Sequence, residues 1–264
     1  VPGFVSSSDA PNKKMRKIAL QLYTVRESLQ KDYLGTLKQV ADAGYKGVEM
    51  AGDFGGMSAK ELRAVMNDLG LQVIGGHILP NHLSNGLAET IDTYNALGAG
   101  YLGLAWMPPE MRNTKSAWQN SIPLIKKAAE QVANGGMTFV YHNHDFEFEK
   151  FDGQHGLDLL WSSTDPKQVK SELDVYWVKK AGVDPRAYLE SLGGRAPLLH
   201  IKDMNKEDQS WEIIGDGTLD FENILKTGDA LGVDWYIVEQ DKCPKGELVS
   251  IRRSHSNLVA NGWL

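Results

Sequence analysis

Only one cysteine, Cys243, occurs in the 264 residues, so neither an intrachain disulfide nor a cysteine-built zinc site can form. Equally absent is any apolar run close to the ~20 residues that a membrane-spanning helix requires. Positive charge is scarce: 28 Lys and Arg stand against 34 Asp and Glu, for a net charge of −6. A protein that follows nucleic acid needs a basic face, because neutralising phosphates dominates that affinity. The one basic tract, Lys13, Lys14, Arg16 and Lys17, is short and precedes the first strand, where a solvated lead-in explains it. Nucleotide signatures are missing too. Neither G-x-G-x-x-G nor G-x-x-x-x-G-K-[ST] follows the first strand, which argues against dinucleotide and nucleotide cofactors.

What is present is an ordinary globular composition, 42% hydrophobic and 23% charged, laid out as a repeating pattern. Short β-rich runs alternate eight times with amphipathic helical stretches. Strands are expected at Lys17–Leu22, Gly47–Met50, Gln72–His77, Tyr101–Leu104, Thr138–His142, Val169–Asp174, Leu198–Lys202 and Trp235–Glu239. Between them, Ser58-Ala-Lys-Glu61 reads as a capping box, and Asp32 and Asp220 as N-caps. Gly44, Gly70, Gly98 and Gly232 fall where a helix should stop before the next strand. Strands alternating with helices imply a parallel sheet with right-handed crossovers. Eight such units in about 250 residues fit a single-domain (β/α)8 TIM barrel. The expected layout is a flexible stub over residues 1–14 and one catalytic domain over 15–264. The stub fits the remnant of a removed signal, which would place the protein in the periplasm, or a simple chain start, which leaves it cytoplasmic.

The active site of such a barrel lies at the C-terminal ends of its strands. Those ends carry Gln21 and Tyr23, Glu49, His77, Trp106, the run Tyr141-His-Asn-His-Asp-Phe-Glu147, Asp174 with Tyr176 and Trp177, His200 with Lys202, and Glu239. Any one of these alone is explained as a hydrogen-bonded barrel residue. Their concentration at one rim is not explained by packing. Asp174, His200 and Glu239 each follow a buried-looking strand, and two carboxylates with an imidazole suit one divalent ion such as Mn²⁺, Co²⁺, Mg²⁺ or Zn²⁺. Trp106, Tyr176, Trp177 and Trp211 offer apolar walls for a sugar ring, or else pack the barrel.

The spacing of Asp174, His200 and Glu239 resembles that of the sugar phosphate isomerase/epimerase family of xylose isomerase-like TIM barrels. The same resemblance is carried by Gln21-Leu-Tyr-Thr-Val-Arg26, Gly47-Val-Glu49, Tyr141-His-Asn-His-Asp-Phe-Glu-Phe148, His200-Ile-Lys-Asp203 and Gly215-Asp-Gly-Thr-Leu-Asp-Phe221. It covers nearly all of the chain from Lys17 onward. It implies one divalent ion held by a Glu, an Asp, a His and a second Glu from strands five to eight, the last three being Asp174, His200 and Glu239. The first ligand falls on Tyr141, a poor donor, and a subgroup with the Tyr-His-Asn-His signature shares this departure. Glu147 is the expected replacement, as ligand or acid/base group, with His144 and His142 as alternatives. Strand alternation puts His142 and His144 on one face and Tyr141, Asn143, Asp145 and Glu147 on the other.

The resemblance further implies proton abstraction next to the carbonyl of a sugar, with an ion stabilising the developing enediolate. Glu239 and Glu147 are the expected acid/base pair, seconded by His144. Lys202 is expected either to steady the enolate oxygen or to form a salt bridge with Asp174, Glu172 or Asp203. Glu49, His77, Arg26, Trp106, Asn143 and Trp177 are expected to contact substrate. The enolate can be reprotonated, as in an isomerase or epimerase. It can also expel a β-leaving group, as in a lyase or dehydratase acting on a keto-sugar or 3-keto-glycoside, and the missing first glutamate leans that way. Three other readings compete. An endonuclease at abasic sites would want a basic groove and more histidines. A non-catalytic carbohydrate-binding barrel would not need Asp174, His200 and Glu239 to converge. A Schiff-base aldolase would use Lys202. Gly215-Asp-Gly217 is the only candidate phosphate loop, and Asp216 repels phosphate, so an unphosphorylated sugar is expected. Oligomeric state stays open.

Overall fold

The computed structural model describes residues 15–264; the expected stub over 1–14, with Lys13 and Lys14 of the basic tract, lies outside the described residues. Eight strands close into a barrel: β1 Ile18–Gln21, β2 Gly47–Met50, β3 Gln72–Ile78, β4 Tyr101–Leu104, β5 Thr138–His142, β6 Lys170–Asp174, β7 Leu198–Ile201 and β8 Trp235–Val238. Each pairs in parallel with its neighbours in sequence, and β1 pairs with β8 to close the ring. The expected (β/α)8 TIM barrel is therefore the fold. Lys202 and Glu239 stand one residue beyond their strands rather than at the last strand position. No helix among the described residues is long and apolar enough to cross a membrane.

Alternation along the strands builds two separate interiors. Outward-facing Leu20, Val48, Leu102, Phe139, Tyr141, Leu173, Leu199, Tyr236 and Val238 join the large core between barrel and helices. The helices answer with one apolar face each; Ala59–Asp68 buries Leu62 and Met66, one turn apart. Its start is the capping box read from the sequence, with Ser58 accepting from Glu61 and the Glu61 side chain returning to the Ser58 N–H. Asp32 and Asp220 likewise cap their helices. Gly44, Gly70, Gly98 and Gly232 take φ of 109°, 69°, 81° and 81° at helix ends, where a Cβ would be strained. Inside the barrel, Ala19, Ile74, Val140, Leu198, Trp235 and Ile237 form a small apolar plug. Above that plug the inward positions turn polar.

One irregularity shapes the polar layer. Val48 of β2 pairs with Val73, but Glu49 pairs with Gly75, so the register slips and Ile74 is the extra residue. Ile74 points into the plug, and three residues later His77 also points inward, which strict alternation would forbid. Gly103 of β4 makes room for it: a Cβ there would lie 3.0 Å from Val140 Cγ2 and 3.1 Å from His77 Cδ2. Gly103→Ala is therefore expected to lower stability by about 1–3 kcal/mol through overpacking, measured as a fall in the urea midpoint. An unchanged midpoint would show that His77 has room to yield.

Candidate active site

At the C-terminal mouth of the barrel, His142 on β5, Asp174 on β6, His200 on β7 and Glu239 just past β8 are buried together, each offering a donor atom within 4.8 Å of the others. His142 Nε2 lies 3.1 Å from Asp174 Oδ2. His200 Nδ1 lies 2.9 Å from Glu239 Oε2 and 3.9 Å from Asp174 Oδ2. Local structure orients each donor. Asp174 Oδ1 accepts the N–H groups of Tyr176 and Trp177 at the start of the next helix, which turns Oδ2 toward the group. His142 Nδ1 lies 3.1 Å from the Ala105 carbonyl. A carbonyl only accepts, so Nδ1 carries a proton, and Nε2 is the ring atom turned toward the group. Two imidazoles and two carboxylates so arranged fit a single divalent ion.

Lys202 is the resident cation. Its buried Nζ lies 3.0 Å from Asp174 Oδ2, 2.8 Å from Glu239 Oε2 and 2.8 Å from Asp241 Oδ1. Burial alone would lower its pKa, but Asp174, Glu239 and Asp241 carry it well above the ordinary lysine value. Burial pushes Asp174 and Glu239 up, yet Lys202 and the neighbouring imidazoles hold both below the usual carboxylate range. Three carboxylates against one ammonium leave excess negative charge at the mouth, a second point of fit with a cation.

Below lies a second group. Glu49, His77 and Glu172 meet the other face of His200, whose Nε2 is 2.8 Å from Glu49 Oε1 and 3.1 Å from Glu172 Oε1. Burial lowers the His77 pKa, but Glu49 and Glu172 reverse this and raise it to about 9. Glu172 was not singled out as a site residue from the sequence. Its signal was there, since Glu172 and Asp174 are two apart on one strand and must share a face. Asp241, two residues past Glu239, was missed because it lies beyond the strand, where alternation carries no information.

Other candidates divide between the cleft and its supports. An open cleft of about 480 Å³ over the mouth is lined by His77, Trp106, His142, His144, Lys202, Glu239 and Asp241, among others. Trp106 is 39% exposed there. Glu147 stands apart from both groups: Tyr141 Oη donates to its Oε1 at 2.9 Å and the His144 N–H to its Oε2 at 2.7 Å. Tyr141 faces outward from β5, and Glu147 is drawn with it, away from the barrel axis. His142 occupies the strand-five place in the group. Asn143 fastens β5 to β6 by accepting the Asp174 N–H, and does not line the cleft. Arg26 donates to the carbonyls of Tyr23 and Asp241 and faces an adjoining hollow. Trp177 sits behind His144 and Lys202, at ring distances of 5.4 and 5.8 Å.

With this geometry in view, the chain belongs to the xylose isomerase-like TIM barrel family, whose sequence model matches residues 37–252. It is 26% identical over 251 residues to an inosose dehydratase of Geobacillus kaustophilus, covering 86% of this chain and 77% of that protein. An inosose dehydratase of Geobacillus thermodenitrificans matches at 26% over 149 residues, and the chain spans about half of that relative's length, 49%. Among solved structures, a sugar phosphate isomerase/epimerase from Parabacteroides distasonis superposes with a TM-score of 0.82 at 25% identity, covering 97% of this chain and 98% of that one. The IOLI protein, whose crystal structure holds a zinc atom, shares the fold at a TM-score of 0.74 and 15% identity, over 93% of this chain and 96% of its own.

Burial raises the Glu147 pKa from its ordinary 4.5 to about 7, against the opposing pull of the His144 N–H and Tyr141 hydroxyl. A carboxyl easier to protonate folded than unfolded stabilises the fold at acid pH. That contribution, up to about 3 kcal/mol, is complete below pH 4.5 and lost as pH rises through 7. Glu147→Gln should remove this part of the pH dependence, so urea unfolding of the two proteins should diverge between these limits. Parallel pH profiles would contradict it.

Proposed function

We propose that this protein is a divalent-metal-dependent enzyme that removes a proton from the carbon beside a carbonyl of a sugar. The observation that carries the reading is the convergence of His142, Asp174, His200 and Glu239 at the floor of an open cleft. In this reading His142, rather than Glu147, is the strand-five ligand. A bound divalent ion supplies Lewis-acid stabilisation of the negative charge that grows on oxygen during proton removal. Mn²⁺, Co²⁺, Mg²⁺ and Zn²⁺ all remain candidates.

The chain's own groups divide the rest of the work. His144 lines the cleft, and burial together with His142 and Lys202 holds its pKa well below the usual histidine value. It is neutral at physiological pH and free to accept the proton. Lys202 stays protonated between its carboxylates and turns toward the cleft, where it steadies the enolate oxygen. Its raised pKa disfavours a Schiff-base role, which needs a neutral amine. Trp106 provides an apolar wall for a sugar ring.

Returning the proton to the neighbouring carbon gives isomerase chemistry, and returning it to the opposite face of the same carbon gives epimerase chemistry; giving it to a departing β-oxygen gives elimination. Withdrawal of Glu147 to Tyr141 leaves strand five without a carboxylate facing the cleft, which favours the lyase or dehydratase outcome. The dehydratases among the relatives point the same way. An unphosphorylated sugar is favoured as well. The Gly215 and Gly217 N–H groups, the one candidate phosphate cradle, are already spent on Asp203 Oδ2 at 2.9 and 3.0 Å.

Elemental analysis of the purified protein should find divalent metal, and Asp174→Ala and Glu239→Gln should each lose one equivalent per chain. Keto-sugars incubated in D₂O should exchange the hydrogen beside the carbonyl, or lose a β-substituent, as followed by NMR. His144→Asn should slow that exchange about 10²–10⁴-fold with metal content unchanged. A protein that takes up none of the four ions and exchanges no hydrogen would move the carbohydrate-binding reading to first place.

A further inference from the structure

We infer that the barrel holds a second divalent ion beneath the first, bound by Glu49, His77, Glu172 and the Nε2 atom of His200. This does not depend on the reaction proposed above. Four contacts define the inner group: His77 Nε2 to Glu172 Oε1 at 2.6 Å, His200 Nε2 to Glu49 Oε1 at 2.8 Å, His200 Nε2 to Glu172 Oε1 at 3.1 Å, and His77 Nε2 to Glu49 Oε1 at 3.4 Å. Hydrogen bonds pair one donor with one acceptor. Here each imidazole nitrogen, with one proton at most, faces both carboxylates, and each carboxylate uses the same oxygen for both rings. Four atoms that face inward on a shared centre are arranged as ion ligands are. Ligands at 2.0–2.2 Å from a tetrahedral zinc stand about 3.3 Å from one another, close to the spacing seen.

Two further observations point to a ligand. Glu172 is fully buried, with its carboxylate directed into the group through Oε1, yet Oε2 has no hydrogen-bond partner. Such an orphaned oxygen is costly in a barrel interior, and bidentate coordination would employ it. Charge gives the second. Glu49, Glu172, Asp174, Glu239 and Asp241 outnumber the one lysine among them, Lys202, by four negative charges, and deprotonation of His200 between two ions makes five, so two divalent ions do not overcharge the site. The rim ion uses His200 Nδ1 and the inner ion Nε2, so the ring releases its last N–H proton to solvent when both are bound. Two imidazoles and two carboxylates at tetrahedral spacing favour Zn²⁺ or Co²⁺ over Mg²⁺ or Ca²⁺. Ions can enter from the cleft along His77, which lines it.

The test uses the whole protein, stripped with a chelator and dialysed against Co²⁺ alone, with cobalt counted per chain and the visible absorption of tetrahedral Co²⁺ recorded. Two cobalt ions are expected in the wild type, one in Asp174→Ala, one in Glu172→Gln and none in the double variant. Co²⁺ should raise the unfolding temperature of Asp174→Ala and leave that of the double variant unchanged. His77→Gln, altered at a partly exposed position, replaces Glu172→Gln if the latter does not fold. One cobalt in the wild type, kept by Glu172→Gln and lost by Asp174→Ala, would overturn the inner site and leave the rim centre standing. The reverse pattern would support the inner site and overturn the rim centre, and no cobalt in any form would overturn both.

Discussion

His200 contacts carboxylates on both of its ring nitrogens, Glu239 through Nδ1 and Glu49 and Glu172 through Nε2, and the mouth of the barrel is organised by that ring. Burying a carboxylate costs several kcal/mol unless a cation or strong donors stand against it. Here Glu49, Glu172, Asp174 and Glu239 are all buried against the imidazoles of His77, His142 and His200 and the Lys202 ammonium. Removing His200 takes a partner from Glu49, Glu172 and Glu239, and removing Lys202 takes one from Asp174, Glu239 and Asp241. The shared need for positive charge, more than any single pairing, holds the group together and fits it to a cation.

The apolar frame exists to hold that arrangement. Ala19, Ile74, Val140, Leu198 and Ile237 pack the barrel below it, and the polar layer opens into the cleft. The register slip at Val48–Glu49 turns His77 inward, and the missing side chain of Gly103 gives it space. Asp203 plays a parallel part outside the barrel. By taking the N–H groups of Met204, Gly215, Gly217 and Leu219, it ties the loop after β7 into a fixed shape. The Gly215-Asp-Gly-Thr-Leu-Asp-Phe221 phrase there is thus explained by loop architecture rather than by an anion cradle.

Much of this was legible in the residues. Eight β-runs separated by amphipathic stretches, with glycine stops and Ser58, Asp32 and Asp220 starts, describe the (β/α)8 barrel because those signals are local and periodic. Asp174, His200 and Glu239 were legible for the same reason, each marking the polar end of an apolar strand. Glu172 could have been read from the same alternation, two positions before Asp174. Strand five was harder. Alternation sets Tyr141 and Glu147 on one face and His142 and His144 on the other, and the structure keeps that division, with both histidines at the cleft and Glu147 bonded to Tyr141; the expectation of Glu147 as ligand ran against it.

By itself the sequence determined the barrel, the polar rim and the identity of the acids and imidazoles, since these follow from periodicity and residue chemistry. Tertiary structure alone decided which of them meet. Glu147 leaves for Tyr141, His142 takes the place beside Asp174, and Asn143 and Arg26 become fasteners. It also decided that Glu49, from β2, and Glu172, from β6, share one imidazole. The physical reason is closure: residues more than a hundred positions apart become neighbours only when β1 pairs with β8, and no local pattern encodes the distance across a barrel.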